Sequence, residues 1–159
     1  MRRVIAALLC TMMCAAVVEA AFDVSTDHRP VFFGLMQLGE DETLAQFGTY
    51  HHQLTVTSNN GRSWYLKISV LTPLSSGAET IPLDQFQWEL VSTTGNGTIA
   101  HPHAWTPFSL IPEIVYFSGA GEASGTAVSL QFRYRLQVPQ AQVSGIYQTT
   151  IRFTLTEIL

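Results

Sequence analysis

Apolar and polar side chains alternate with a period of two residues along most of this chain, most clearly from Val128 to Leu136. This period is typical of a half-buried β-strand, because successive side chains on a strand point to opposite faces. No window of comparable length has the 3.6-residue apolar period of a helix. Strands are therefore predicted at residues 31–38, 52–57, 64–70, 85–90, 113–117, 128–136 and 147–155.

Turn residues and strand length set the expected architecture. Asn59-Asn60-Gly61 suits a turn with positive φ, so the strands on either side of it are expected to pair as a hairpin. Leu71 to Pro82 is expected to be a long loop. Seven to nine short strands with frequent Gly, Pro and Ser predict an all-β fold, an antiparallel immunoglobulin-like β-sandwich. Its predicted core contains Trp64, Leu66, Ile68, Val70, Phe132, Tyr134, Ile151, Phe153 and Leu155.

The first twenty residues have the composition of a secretory signal, with a basic start at Arg2-Arg3 and an apolar run from Val4 to Val18. Cleavage is expected after Ala20, which leaves residues 21–159 as a single β-sandwich domain, secreted to the extracellular space or cell surface. A membrane anchor is the alternative, but the run is shorter than the roughly 20 residues that a span needs. Lipidation at Cys14 is a further alternative. No membrane insertion is expected after cleavage.

Charge and cysteine content exclude several classes of function. Both cysteines lie inside the signal, so the mature chain is expected to have no disulfide and no cysteine metal site. Loss of Arg2, Arg3 and Glu19 from eight basic and twelve acidic residues leaves six and eleven, a net charge near −5. A nucleic-acid partner is not expected, since no basic stripe exists to neutralise phosphates.

Two motifs carry a family resemblance. Trp64-Tyr65-Leu66 follows a turn, and Phe153-Thr154-Leu155 follows Pro139 and Gly145-Ile146-Tyr147. This order resembles a WxL-type cell-surface domain, with Phe153 where the second motif of the family has tryptophan. The resemblance implies noncovalent attachment to peptidoglycan at a bacterial surface. In a strand these motif residues share one face, so we expect Trp64, Leu66, Phe153 and Leu155 to be core residues. Tyr147 is expected to anchor its loop through its hydroxyl group.

A second resemblance is to fimbrial subunits, which polymerise by lending an N-terminal strand. The mature N-terminus, Ala21 to His28, has only Phe22 and Val24 in alternation. Self-assembly by strand exchange therefore remains the alternative function within the same broad class.

Candidate chemistry is sparse. His51-His52 and His101-Pro102-His103 are clusters of potential metal ligands, but zinc needs a third protein ligand, so no metal or cofactor is expected and the histidines are predicted to lie at the surface. The acidic residues 40–42 are expected in a solvated loop. No Gly-x-Ser-x-Gly motif or phosphate-binding glycine loop occurs, so no enzymatic activity is expected. A secreted hydrolase with an unrecognised site stays as the alternative from another class.

Trp105 is the strongest candidate for binding, because it lies in a loop stiffened by Pro102 and Pro107. An aromatic ring held in a stiff loop can stack on a sugar or a partner protein with little loss of entropy. His101 and His103 belong to the same candidate site. The sequence thus predicts a non-catalytic binding or structural module that attaches to cell-wall glycan or to other surface proteins.

Overall fold

The computed structural model describes residues 22–27, 30–44 and 50–157, so the predicted signal at 1–20 lies outside the described residues. The described residues form twelve strands and one turn of 3-10 helix at Leu83–Gln85. The strands are β1 Phe22–Thr26, β2 Asp41–Leu44, β3 His52–Ser58, β4 Trp64–Val70, β5 Leu74–Ser76, β6 Glu79–Ile81, β7 Phe86–Thr93, β8 Thr98–Ile99, β9 Thr106–Pro107, β10 Glu113–Phe117, β11 Val128–Gln137 and β12 Ile151–Glu157.

Two antiparallel sheets face each other, which confirms the predicted all-β sandwich. The first sheet has the order β1-β3-β11-β7-β9, and β2 pairs with the second half of β11. The second sheet has the order β12-β4-β10-β8, and β5 and β6 form a separate two-stranded hairpin. There are more strands than the expected seven to nine, because the twelve include four very short ones: β5, β6, β8 and β9 are only two or three residues long.

The core lies between the sheets and is filled from the apolar sides of the alternating strands. Strand β11 shows the pattern without interruption, with every second residue buried from Val128 to Leu136. Six of the nine predicted core residues are buried: Trp64, Leu66, Ile68, Val70, Phe132 and Tyr134. The other three, Ile151, Phe153 and Leu155, pack against this core but are only partly buried. They lie on β12, which is at the edge of its sheet and has a neighbouring strand on one side only.

The predicted hairpin between β3 and β4 is wrong. Gly61 does adopt a positive φ of 73°, as the turn sequence requires. However, β3 pairs with β1 and β11, whereas β4 pairs with β10 and β12. Residues 59–63 therefore carry the chain from one sheet to the other. Turn chemistry fixes the local reversal, but the pairing depends on strands distant in the sequence.

Four further parts of the chain differ from the sequence expectation. Residues 31–38 form no strand, since Gly34 interrupts the extended chain with a φ of 80°, although Phe33 packs edge-on against Phe86 with ring centres 6.1 Å apart. The expected loop 71–82 contains the β5–β6 hairpin. The last described strand begins at Ile151 and not at Tyr147. The acidic residues 40–42 do not all lie in a solvated loop, since Asp41 and Glu42 are the first two residues of β2.

A buried carboxylate fixes the end of the sandwich where β8 begins and β10 ends. Glu122 is 4 % exposed and accepts hydrogen bonds from the Tyr116 hydroxyl at 2.8 Å and from the backbone N–H groups of Asn96 and Gly119 at 2.6 and 2.7 Å. Burial and this carboxylate raise the pKa of Tyr116 to about 12. Two turns that are distant in sequence are thereby joined through one side chain.

Candidate functional site

Trp105 lies at the outer face of the first sheet. It directly precedes β9, whose residues Thr106 and Pro107 pair with Trp88 and Gln87 of β7. Arg133 and Arg135 project outward from β11, because the residues between and beside them point into the core. Their guanidinium carbons lie 5.0 and 5.9 Å from the centre of the Trp105 ring. A very short strand therefore places a loop tryptophan over two arginines of a central strand.

Each of these arginines is fixed by a carboxylate on a neighbouring strand. Nε and Nη2 of Arg133 donate to Oε2 of Glu89 at 2.9 and 2.7 Å. Nε of Arg135 donates to Oδ1 of Asp41 at 2.7 Å, and its Nη2 donates to the other carboxylate oxygen. The Glu89 side chain is only 6 % exposed, whereas that of Asp41 is 36 % exposed. We call Trp105 with these four side chains the Trp105 platform.

The electrostatics of the Trp105 platform are balanced, with two positive and two negative charges. Hydrogen bonds from Arg135 hold the pKa of the Asp41 carboxyl below its ordinary value of 3.8, and Asp41 in turn raises the pKa of Arg135. The pair of Asp41 and Arg135 is therefore charged at neutral pH. Guanidinium groups near an indole ring are attracted to it by roughly 0.5–1 kcal/mol at exposed sites. The ring is thus held in position, while the platform carries no net charge.

The Trp105 platform lies on the polar outer face of the first sheet. Two grooves of about 340 Å³ each lie elsewhere. One is lined by residues of the turns around Glu122, and the other lies between Thr72, Ser75 and residues 148–150. Small and polar side chains line both grooves, and neither offers an aromatic ring. The Trp105 platform is consequently the better candidate for recognition of a ligand by stacking.

The histidines of the same loop have separate roles. His101 is half-buried and packs edge-on against Trp88, with ring centres 5.8 Å apart. His103 is exposed and has a φ of 52°, a left-handed backbone conformation that histidine adopts more readily than most residues. In the described part of the chain, no group of three or more His, Cys, Asp or Glu side chains is placed to hold a metal ion.

The apolar residues of the two WxL-like motifs lie in the core or pack against it. Trp64 and Leu66 are 1 % and 0 % exposed, and Phe153 packs against Phe132 with ring centres 5.2 Å apart. Leu155 is partly buried on the same side of β12. The hydroxyl contact expected for Tyr147 is present, since this group donates to the Val143 carbonyl oxygen at 2.6 Å.

The surface position predicted for His51 and His52 is wrong. Both are buried, and their rings lie against Asp27 and Pro30. Nε2 of His51 lies 3.0 Å from the Pro30 carbonyl oxygen, whereas His52 has Nδ1 2.9 Å from the Tyr134 hydroxyl and Nε2 3.3 Å from an Asp27 carboxylate oxygen. This chain of carboxylate, imidazole and hydroxyl superficially resembles a nucleophile with its base.

The buried hydroxyl of that chain is poorly suited to nucleophilic attack. Tyr134 is 0 % exposed, so a substrate has no access to it. Burial raises the pKa of Tyr134 well above its ordinary value of 10, and the charge of Asp27 adds to the effect. The tyrosine therefore stays protonated at neutral pH. We interpret the group as a support that holds Thr26, Asp27 and Pro30 against the first sheet.

No protein-family model matches this chain, and no curated protein matches it. Among the described residues, no helix is long and apolar enough to cross a membrane. The site must therefore be judged from its own residues.

Sequence reasoning found Trp105 but missed the four charged residues around it. Arg133 and Arg135 stand out as the two basic residues on the polar side of the most regular strand, and Glu89 occupies the polar side of another. Opposite charges on polar strand faces are a signal for cross-strand ion pairs. The sequence does not say which strands are neighbours, so this signal could not be assigned to a particular pair.

Proposed function

We propose that this protein is a secreted, non-catalytic binding module of the cell surface, and that it attaches to cell-wall glycan through the Trp105 platform. The observation that carries the proposal is the placement of Trp105 beside two arginines that are each fixed by a carboxylate. A positioned aromatic ring surrounded by hydrogen-bonding groups is suited to a sugar, whose C–H face stacks on the ring while its hydroxyl groups meet the polar rim.

Charge balance favours a neutral ligand over an anionic one. Glu89 and Asp41 occupy the strongest hydrogen-bonding directions of the two guanidinium groups, which are the directions a phosphate or carboxylate ligand would use. A polyhydroxyl ligand needs no such ion pairing and can donate to carboxylate oxygens and accept from the outer N–H groups. The resemblance to WxL-type domains points to the same class of ligand, peptidoglycan.

Sedimentation with purified peptidoglycan tests this proposal. Wild-type protein should sediment with the glycan, and Trp105→Ala should weaken binding at least about tenfold, which corresponds to about 1.4 kcal/mol. Its melting temperature should fall by only a few degrees, as expected for a loss near 1 kcal/mol. The matched control is Tyr65→Ala, because Tyr65 is also partly exposed and lies beside a cation, Lys67, at 5.2 Å, but on the other sheet.

Equal binding by wild type and Trp105→Ala would remove the Trp105 platform from the site. An equal loss of peptidoglycan binding in Tyr65→Ala would mean that attachment depends on overall stability or on nonspecific adsorption. Secretion has a separate test, since mass spectrometry of the exported protein should give a chain that starts at Ala21. An intact Met1 in exported material would contradict the predicted cleavage.

A second candidate function is self-assembly by exchange of β1. The position of this strand favours it: β1 is at the edge of its sheet and pairs with β3 over five residues, yet Asp23, Val24 and Ser25 are exposed. Light scattering after size-exclusion chromatography should then show multimers that disappear when residues 22–26 are deleted. A monomer at every protein concentration would contradict strand exchange without affecting the glycan proposal.

A further inference from the structure

Exposed apolar side chains are concentrated at one end of the sandwich. Nine large hydrophobic residues of the described chain are exposed, and eight of them lie in loops at the end where β4 and β11 finish and β7 and β12 begin. The most exposed are Leu35, Ile146, Ile111 and Phe32, at 103 %, 86 %, 75 % and 72 %. Val24, on β1, is the exception. We call this end, formed by residues 30–40, 70–85, 108–113 and 137–151, the apolar end.

The loops of the apolar end are joined to one another by specific contacts. Phe33 and Phe108 both pack against Phe86, with ring centres 6.1 and 4.4 Å from it. The backbone of Gly39 donates to Val138 at 2.8 Å, and that of Leu71 donates to Thr150 at 2.9 Å. Through these contacts, the segments that carry Phe32, Leu35, Ile111 and Ile146 pack against the ends of the strands or bond to one another. The exposed side chains therefore project from an ordered surface.

Acidic residues lie at the same end of the sandwich. Glu40, Glu79 and Asp84 are exposed at the apolar end, and Glu113 is partly exposed at the start of β10. No described basic residue lies within the segments of the apolar end. Arg135 and Arg152 lie on the strands next to them, and Arg135 is paired with Asp41. The opposite end differs, since its turns at residues 59–63, 93–97 and 118–127 carry no large exposed hydrophobic side chain in the described structure.

We propose that the apolar end docks a second protein whose contact surface is apolar at its centre and basic at its rim. An apolar centre with a charged rim is the anatomy of a protein interface, and exposed apolar side chains concentrated in this way mark interaction sites. The acidic rim selects the partner by charge complementarity. It disfavours a second copy of this chain, which would bring like charges together, and it disfavours anionic lipid surfaces, which attract basic segments.

The proposal is independent of glycan binding, because the apolar end and the Trp105 platform use different residues. Its test uses a synthetic amphipathic helical peptide with leucine on one face and lysine on the other. The comparison peptide has glutamate in place of every lysine. The lysine peptide should bind in a fluorescence titration, and the glutamate peptide should bind at least about tenfold more weakly. Added salt should weaken binding of the lysine peptide, because exposed charges are screened.

Substitutions test whether the lysine peptide binds at the apolar end. Leu35→Ser with Ile111→Ser should weaken binding of the lysine peptide about tenfold, and Glu79→Gln with Asp84→Asn should weaken it severalfold. The matched control is Asp23→Asn with Val24→Ser on β1, which removes one exposed acid and one exposed hydrophobic residue elsewhere. Circular dichroism should show unchanged folding, because all six side chains are exposed.

Several outcomes would overturn the proposal. Equal binding of both peptides, or equal loss in the β1 control, would show nonspecific apolar contact. Sedimentation of wild-type protein with anionic phospholipid vesicles, abolished by Leu35→Ser with Ile111→Ser, would identify a membrane surface instead. Concentration-dependent dimers abolished by the same variant would identify a second copy. Absence of binding to the lysine peptide would also contradict docking of a basic-rimmed partner.

Discussion

Leu66 and Leu155 are direct register partners across the antiparallel pair of β4 and β12. They are the leucines of the two WxL-like motifs, which therefore lie side by side in one sheet. The aromatic residues of the motifs are offset in this register: Trp64 is opposite Glu157, and Phe153 is opposite Ile68. Both motifs direct their apolar residues toward the core, so stability and not ligand contact is the first property that they control.

Truncation of Phe153 measures that contribution. Phe153→Ala removes ring contacts with Phe132 and His52, whose centres lie 5.2 and 5.5 Å away. Because Phe153 is only partly buried, we expect a loss of about 2–3 kcal/mol in the free energy of unfolding, below the 3–5 kcal/mol of a fully buried phenylalanine. Urea denaturation provides the measurement. Thr154→Ala, on the other side of the strand, should cost less than about 0.5 kcal/mol, and a Phe153 loss that small would contradict its packing.

The two ion pairs of the Trp105 platform should differ in their effect on stability. Arg133→Met leaves the nearly buried Glu89 without its guanidinium partner, so we expect a loss of about 2–3 kcal/mol. Arg135→Met leaves the more exposed Asp41, and the loss should stay below about 1 kcal/mol. Urea denaturation of both variants checks this order. The double variant Arg133→Met with Glu89→Met should recover most of the first loss, and equal losses from the two single variants would contradict the difference in burial.

Acid should weaken the pair of Asp41 and Arg135 only at low pH. Because the folded-state pKa of Asp41 is lowered, its contribution to stability is present above the unfolded value of 3.8 and is lost as the pH falls through the folded pKa. Carboxyl NMR titration should give an Asp41 midpoint below 3.8. In Arg135→Gln the midpoint should move back toward the ordinary value. A midpoint at or above 3.8 in the wild-type protein would mean that the pair is absent in solution.

High pH should destabilise the end of the sandwich where β8 begins and β10 ends, because Tyr116 is buried there. The folded-state pKa of Tyr116 is raised to about 12, so its contribution to stability is present below the ordinary value of 10 and is lost as the pH rises toward 12. Ultraviolet absorbance titration should show Tyr116 among the tyrosines that ionise late. Tyr116→Phe should remove that late step and reduce the loss of stability between pH 10 and 12, and an unchanged titration curve would contradict the assignment.

The parts of the fold that depend on local pattern could be predicted, whereas the pairing of distant strands could not. The buried side of β11 follows directly from the alternation between Val128 and Leu136. The strands around Asn59 and Gly61 were assigned correctly as strands, but their separation into two sheets depends on pairing with β11 and β12. His51 and His52 are polar residues by type, and their burial results from the chain segment that includes Pro30.

The same limit applies to the Trp105 platform. The stiff loop around Trp105 is visible in the sequence, because Pro102 and Pro107 flank it. Its position over Arg133 depends on β9, a strand of only two residues, which is too short to leave a periodic signal. A ligand surface assembled from a short strand, a loop and a central strand therefore becomes apparent only in three dimensions.

From the position of β11 we also expect a constraint on the order in which the chain can fold. This strand lies between β3 and β7 and also pairs with β2, and the second sheet needs β12 to cover the free edge of β4. Neither sheet can close until residues 128–157 are available, and such distant pairing makes folding slow. Until then, the aromatic residues of the early strands remain accessible to chaperones, proteases and other unfolded chains.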